Sequence, residues 1–232
     1  MNIFKILKDI LSPKKCYSCG IEGHFLCFSC FKKCKNFEPM CYVCKNPSKN
    51  FEIHADCQKG LYYQKVIILT HYSNPVIKRL ITDAKFYKRK DIFEDFGKYL
   101  TKLFIKYELN VQNKESILVP VPIYYLRKWK RGYNQTEVLG KNISQWTGLE
   151  INTTIIKKIK HTQQQSKVGK KLRLDNLKNT FQINNKESEK YKEKKIILID
   201  DVISTGSTLN EVAKTLNTAG FTDITCLVIA SD

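Results

Sequence analysis

Beyond residue 60 the chain alternates short apolar runs with amphipathic stretches, the order of an α/β fold whose strands are covered on both faces. Leu61–Tyr72 (LYYQKVIILTHY) predicts a strand, and Asn74-Pro75 opens a helix to about Ala84 with Val76, Ile77, Leu80 and Ile81 on one face. Ile92–Tyr107 predicts a second helix, with Phe93, Phe96, Leu100, Leu103 and Phe104 as its core stripe. Ser116–Val119 reads as a short strand, Thr136–Trp146 as a helix and Ile151–Ile156 as a strand. Ile196–Ile199 is an unbroken apolar run, the pattern of a fully buried strand. Leu209, Val212, Ala213 and Leu216 then share a helical face that stops at Ala219-Gly220, and Ile224–Ile229 predicts a last strand with Cys226 as a small buried hydrophobe. Between these elements, 157–177 is polar and aperiodic, Phe181 and Ile183 mark an edge element, and 184–194 reads as a charged connector.

The first 60 residues follow another rule. Eight of the nine cysteines lie there, spaced as Cys16-x2-Cys19, Cys27-x2-Cys30 and Cys41-x2-Cys44, with His54-x2-Cys57 completing the series. Paired hooks of this spacing suit closed tetrahedral Zn²⁺ sites, which are structural because no position is left open. Metal binding would supply folding energy that so small a module lacks in apolar core. The expected ligands are Cys16, Cys19, Cys27, Cys30, Cys41, Cys44, His54 and Cys57, partitioned sequentially into two sites or interleaved, with Cys34 as a spare. Tyr17, Phe25, Phe28, Phe31 and Phe37 alternate with lysines there, either as a mini-core or as surfaces on which single-stranded nucleic acid would stack.

Composition narrows the class. A chain of 232 residues holds one ordinary α/β domain and a small module, here 1–60 and 61–232. The formal charge of +18 suits polyanionic partners or reflects lysine-rich usage, since only five of the 40 basic residues are Arg. Met1–Leu11 is too charged for a secretory signal, and no run has the ~20 apolar residues of a membrane span, so a cytoplasmic protein is expected.

The chemistry concentrates in Lys195–Asn210. An apolar strand delivers Asp200-Asp201, then the small hydroxyl-rich turn Ser204-Thr205-Gly206-Ser207-Thr208 and a helix. Backbone N–H groups at such a turn cradle phosphate, and the acids can bind ribose hydroxyls or a divalent cation. IILIDDVISTGST resembles the phosphoribosyl pyrophosphate motif of phosphoribosyltransferases. That resemblance implies Asp200 and Asp201 on the ribose, residues 204–208 on the 5-phosphate, and Mg²⁺ bound with the pyrophosphate.

Upstream, Pro120-Val121-Pro122 leads into Arg127, Lys128, Lys130, Arg131 and the run Arg131-Gly132-Tyr133-Asn134-Gln135. With the cysteine hooks, VPVP and RGYNQ resemble the ComF family of competence proteins (the ComFC and GntX-like group). Membership implies a type I phosphoribosyltransferase fold, mostly parallel sheet flanked by helices, with an amino-terminal zinc module. Val121, Pro122, Arg127, Arg131 and Arg173 are the expected pyrophosphate loop, Arg offering the planar fork that such anions accept. A hood is expected at 157–177, where Lys160 and Val168 replace the family's usual Arg and Leu. The expected role is handling imported single-stranded DNA with recognition of phosphoribosyl pyrophosphate, and a DNA-translocating helicase is the implied partner. The alternative is an active phosphoribosyltransferase, for which the chain shows no base pocket.

Overall fold

A computed structural model describes residues 13–34, 37–107, 115–161 and 179–231. Arg173 and the hood segment from 162 to 178 lie outside the described residues.

Five strands form one all-parallel sheet: β1 (Lys65–His71), β2 (Ser116–Pro120), β3 (Glu150–Ile151), β6 (Lys195–Ile203) and β7 (Ile224–Ser231), in the order β1-β7-β6-β2-β3. A parallel strand needs cover on both faces, and Ile196, Ile197, Leu198 and Ile199 accordingly have no exposed surface. Helices α2 (Pro75–Phe86), α3 (Asp91–Tyr107), α4 (Tyr125–Arg131), α5 (Gln135–Thr147) and α7 (Ser207–Asn217) supply that cover and the crossovers. Helix α2 starts as a proline-opened helix should, with Asn74 Oδ1 accepting from the N–H groups of Val76 and Ile77. A separate antiparallel pair joins β4 (Ile156–Lys158) to β5 (Phe181–Ile183).

Four sequence expectations are corrected. The strand expected at 61–72 begins only at Lys65, because the backbone before it is spent elsewhere: Tyr62 N–H donates to Asn210 Oδ1, and Gln64 bonds across to Thr222 and Ile224. The strand expected at 151–156 is two pieces, Glu150–Ile151 and Ile156–Lys158. Asn152 breaks it, its Oδ1 accepting from Thr154 N and Ile155 N at 2.8 Å each in a side-chain-capped turn. The loop expected through 126–135 contains the helix α4, ended by Gly132 in the left-handed region with its N–H on Lys128 O. The connector 184–194 contains a further short helix, α6 (Asn185–Glu189), capped by Asn184.

The cysteine module holds α1 (Phe28–Lys33) and two single-turn segments, Lys49–Phe51 and Ala55–Cys57. Its aromatics form neither a private mini-core nor an open stacking face. Phe31 stacks on Tyr99 of α3 at 4.0 Å, Phe37 on His71 at 3.9 Å, and Phe51 meets Tyr107 edge-on. Phe25 N–H donates to the buried Asp95 of α3, and Tyr99 Oη donates to Leu26 O at 2.7 Å. Module and sheet domain therefore share one continuous buried core. Of the five aromatics, Phe28 stays exposed, flanked by Lys32 and Lys102.

Candidate functional site

The site lies where β6 outruns β2. The β2–β6 ladder ends at Pro120↔Ile199, but β6 continues beside β7 through Ile203↔Ser231. Asp200 and Asp201 are therefore the next residues of the strand itself and not the start of the turn, which corrects the expectation that the strand ends at Ile199. Their edge toward β2 is left open, and Val121-Pro122 peels away there after Val121 N–H donates to Ile199 O. This is the crevice beyond the carboxyl ends of the strands in which open α/β sheets bind ligands.

The acid pair is electrostatically loaded. Asp201 is 5% exposed; its Oδ1 accepts from Val202 N, and its Oδ2 lies 2.5 Å from Lys85 Nζ without hydrogen-bond alignment. Asp201 N–H donates to Asp200 Oδ1. Burial first, then the charge of Asp201, push the Asp200 carboxyl up to about 7, against the pull of that N–H and of Lys85. Burial, with Arg127 beside it, pushes Lys158 of β4 down to about 8, while Asp200 draws it up. Burial also lowers Arg131, and Asp201 opposes the shift. Lys85 and Lys158 thus join the site, although the sequence reading ended the helix at about Ala84 and gave Lys158 only as part of the polar stretch 157–177. Lys85 closes the apolar face of α2 by one more turn, a signal readable only once the helix is known to run to Phe86.

The expected anion loop is held rigidly. Asn134 caps α5 and donates Nδ2 to Val121 O, while Thr136 Oγ1 donates to the same carbonyl at 2.8 Å. Arg131 donates to Gln135 Oε1, and Tyr133 Oη donates to Ala84 O, tying α4 to the end of α2 that carries Lys85. Arg131 thereby lies within electrostatic reach of Asp201, Val121 is joined to Ile199 just before the acid pair, and Arg127 stands beside Lys158 and Arg131.

In the 204–208 turn, Thr205 Oγ1 and Ser207 Oγ are 2.7 Å apart, and Gly206 at φ +72° precedes the first turn of α7. Tyr63 Oη would stand 2.9 Å from a Cβ at position 206, so only glycine fits the left-handed backbone and the space. Tyr42 Oη donates to Ser204 O at 2.7 Å.

The cysteines resolve into two clusters, Cys16/Cys19/Cys27/Cys30 and Cys41/Cys44/His54/Cys57, each with its ligand atoms within 4.8 Å of one another. The partition is the sequential one. A zinc tetrahedron with bonds of about 2.3 Å has S–S edges of about 3.8 Å, and Cys19 Sγ stands 3.7 Å from Cys27 Sγ. In the second cluster Cys44 Sγ is 3.3 Å from His54 Nδ1, whose other ring nitrogen faces Pro47 O. Both clusters open on the same backbone knuckle: Gly20 N–H returns to Cys16 O, Lys45 N–H to Cys41 O, and both residues turn left-handed. Burial resists ionisation of Cys16, but backbone donors at Cys27, Cys19 and Ser18 bring it down to about 6. Similar donors bring Cys41 to about 7 against its burial. Cys19 and Cys57 are instead pushed up to about 11, so each cluster offers one ready thiolate beside thiols that Zn²⁺ would deprotonate on binding, as structural sites do. Cys34 is outside both clusters, its thiol on Cys30 O.

A parallel sheet with an acid pair and a glycine-pivoted hydroxyl turn at its carboxyl edge defines a phosphoribosyltransferase-type domain, here joined to a two-cluster cysteine module. Residues 133–232 match the family described as phosphoribosyl transferase domain. The chain is 34% identical over 218 residues to Competence protein F of Haemophilus influenzae, covering 90% of this chain and 93% of that one. It is 27% identical to the DNA utilization protein YhgH of Escherichia coli O157:H7 over 93% of this chain and 96% of that one. The chain belongs to the ComF family, that of Competence protein F. Among solved structures, the glutamine phosphoribosylpyrophosphate amidotransferase of B. subtilis overlays on 63% of this chain and 30% of its own length, with 15% identity and a TM-score of 0.41.

Proposed function

We propose that this chain binds phosphoribosyl pyrophosphate with Mg²⁺ at the carboxyl edge of its sheet and handles imported single-stranded DNA during natural transformation. The observation that carries the reading is the pairing of Asp200-Asp201 with the 204–208 turn across an open strand edge, faced by Lys85, Arg131 and Lys158. Asp200 and Asp201 take the ribose hydroxyls, 204–208 the 5-phosphate, and Arg127 and Arg131 the pyrophosphate. Mg²⁺, when bound, neutralises the pyrophosphate oxygens. Zn²⁺, held by the eight ligands in 1–60, is structural and fixes the module whose aromatics pack on 61–232.

Relatives named for competence and DNA utilization support the DNA role. So does the surface beside the site. Helix α4 exposes Trp129 (83%) and Tyr125 (64%) among Arg127, Lys128 and Lys130, the pairing of ring and cation on which single strands stack. Next to it, a hollow of about 630 Å³ at Gly132–Asn134 is lined by Lys90, Lys98, Lys128 and Lys141 together with Glu94 and Glu137, the last paired with Lys128. Among the described residues no helix is long and apolar enough to cross a membrane.

The test is calorimetric titration of phosphoribosyl pyrophosphate with and without Mg²⁺. Wild type binds, and Asp200→Ala/Asp201→Ala does not; equal affinity in the double variant overturns the site. The logarithm of oligonucleotide affinity should fall linearly with log salt, and affinity should weaken in Trp129→Ala. Pyrophosphate release on addition of a nucleobase would convert the reading into an active transferase.

A further inference from the structure

The second cysteine cluster is built into the phosphate turn. Tyr42 lies inside the Cys41-x2-Cys44 hook, so its backbone is set by the same knuckle that aims the two thiolates, with Cys41 N–H on Asn46 O and Lys45 N–H on Cys41 O. The ring leaves the module, covered on one side by Lys45 Nζ at 4.1 Å, and its hydroxyl donates to the carbonyl of Ser204, the first residue of the turn. The same ring bounds the space at Gly206, where a Cβ would meet Tyr42 Cε1 at 3.2 Å. A second tie runs just behind: Asn210 Oδ1 accepts from Tyr62 N–H, its Nδ2 donates to Gly60 O, and its backbone N–H donates to Gly206 O. The first cluster reaches elsewhere, to Asp95 and Tyr99 of α3 and, through Tyr17 Oη, to Asp83 of α2.

We propose that Tyr42 is a positioning residue for the 204–208 turn, so that metal occupancy of the second cluster, and not of the first, sets that turn's affinity for a phosphate monoester. A phosphate cradle works by presenting several N–H groups already aimed, and each degree of slack in the turn is lost from binding. Metal in the second cluster fixes the hook, the hook fixes Tyr42, and Tyr42 holds Ser204 O turned away from the anion. Without the metal, the turn keeps its residues but loses its brace. The inference rests on the reading of 204–208 as a phosphate site.

The experiment uses the full-length zinc-loaded chain with ribose 5-phosphate and, separately, phosphoribosyl pyrophosphate with Mg²⁺. Tyr42→Phe keeps the ring and both metals, and should weaken both ligands by roughly 3- to 10-fold, the worth of one hydrogen bond. Cys44→Ser should lose metal from its cluster and at least as much affinity, whereas Cys19→Ser should lose metal with affinity unchanged per folded molecule. Hydrogen exchange of ligand-free protein should show faster amide exchange at 204–208 in Tyr42→Phe and Cys44→Ser only. Equal affinity in wild type and Tyr42→Phe overturns the proposal, as does a loss in Cys19→Ser matching that in Cys44→Ser. If wild type binds neither ligand, the ribose-phosphate reading fails, and exchange at 204–208 still decides the brace: equal rates in Tyr42→Phe and wild type remove it. Should Cys44→Ser not fold, Tyr42→Phe decides alone.

Discussion

Lys85 Nζ stands 2.5 Å from Asp201 Oδ2, with both side chains largely withdrawn from water. The contact joins the last turn of α2 to the acid pair of β6, two elements more than a hundred residues apart in sequence. Removing one partner of a buried pair strands the other charge. Lys85→Met should therefore destabilise the fold by about 3 kcal/mol, read as a lowered denaturant midpoint at unchanged slope. Lys85→Arg should recover most of it. A Lys85→Met variant as stable as wild type would mean that this contact does not support the fold.

Asp200 makes stability fall as pH rises. Its unfolded carboxyl ionises near pH 4, but burial and Asp201 hold the folded one up at about 7. Between those values the folded state binds the extra proton, so stability drops across that window, and above it the whole penalty is present. Asp200→Asn removes the penalty and should raise the melting temperature by several degrees at pH 8, with a clearly smaller gain at pH 5.5. It should also weaken phosphoribosyl pyrophosphate. Equal gains at both pH values would contradict the assignment.

Lys158, held down at about 8, should couple anion binding to proton uptake. An anion arriving beside it favours the ammonium. At pH 8.3, titration of ribose 5-phosphate in buffers of different ionisation enthalpy should show net uptake of a fraction of a proton. Lys158→Arg, always charged, should bind with similar affinity and show no uptake from this residue.

Two metal ions per chain are expected, from the two clusters. Cys34→Ser should retain both by metal analysis, because Cys34 lies outside them. Chelation should lower the melting temperature of the whole chain in one transition, since Phe31 and Phe51 carry the module's packing into Tyr99 and Tyr107. A separate low-temperature transition of the module alone would contradict a shared core.

The sequence by itself determined whatever depends on local order. Ile196–Ile199 is buried because four consecutive apolar residues need cover on both faces. The x2 spacing of the hooks put their sulfurs on single knuckles, and the turn at 204–208 had to be small and glycine-centred. Even the helix α4, read as loop, left a local trace in Gly132 after four cationic residues. Tertiary structure decided which distant groups meet. Lys85 and Lys158 look like any of the chain's many lysines until α2 and β4 carry them to the acid pair, where Lys85 meets Asp201 and burial with Arg127 lowers Lys158. Likewise, nothing local in Cys-Tyr-Val-Cys says that its tyrosine reaches Ser204, 162 positions away. Periodicity and spacing record what a residue's neighbours demand; a contact that long exists only once the sheet has closed against the module.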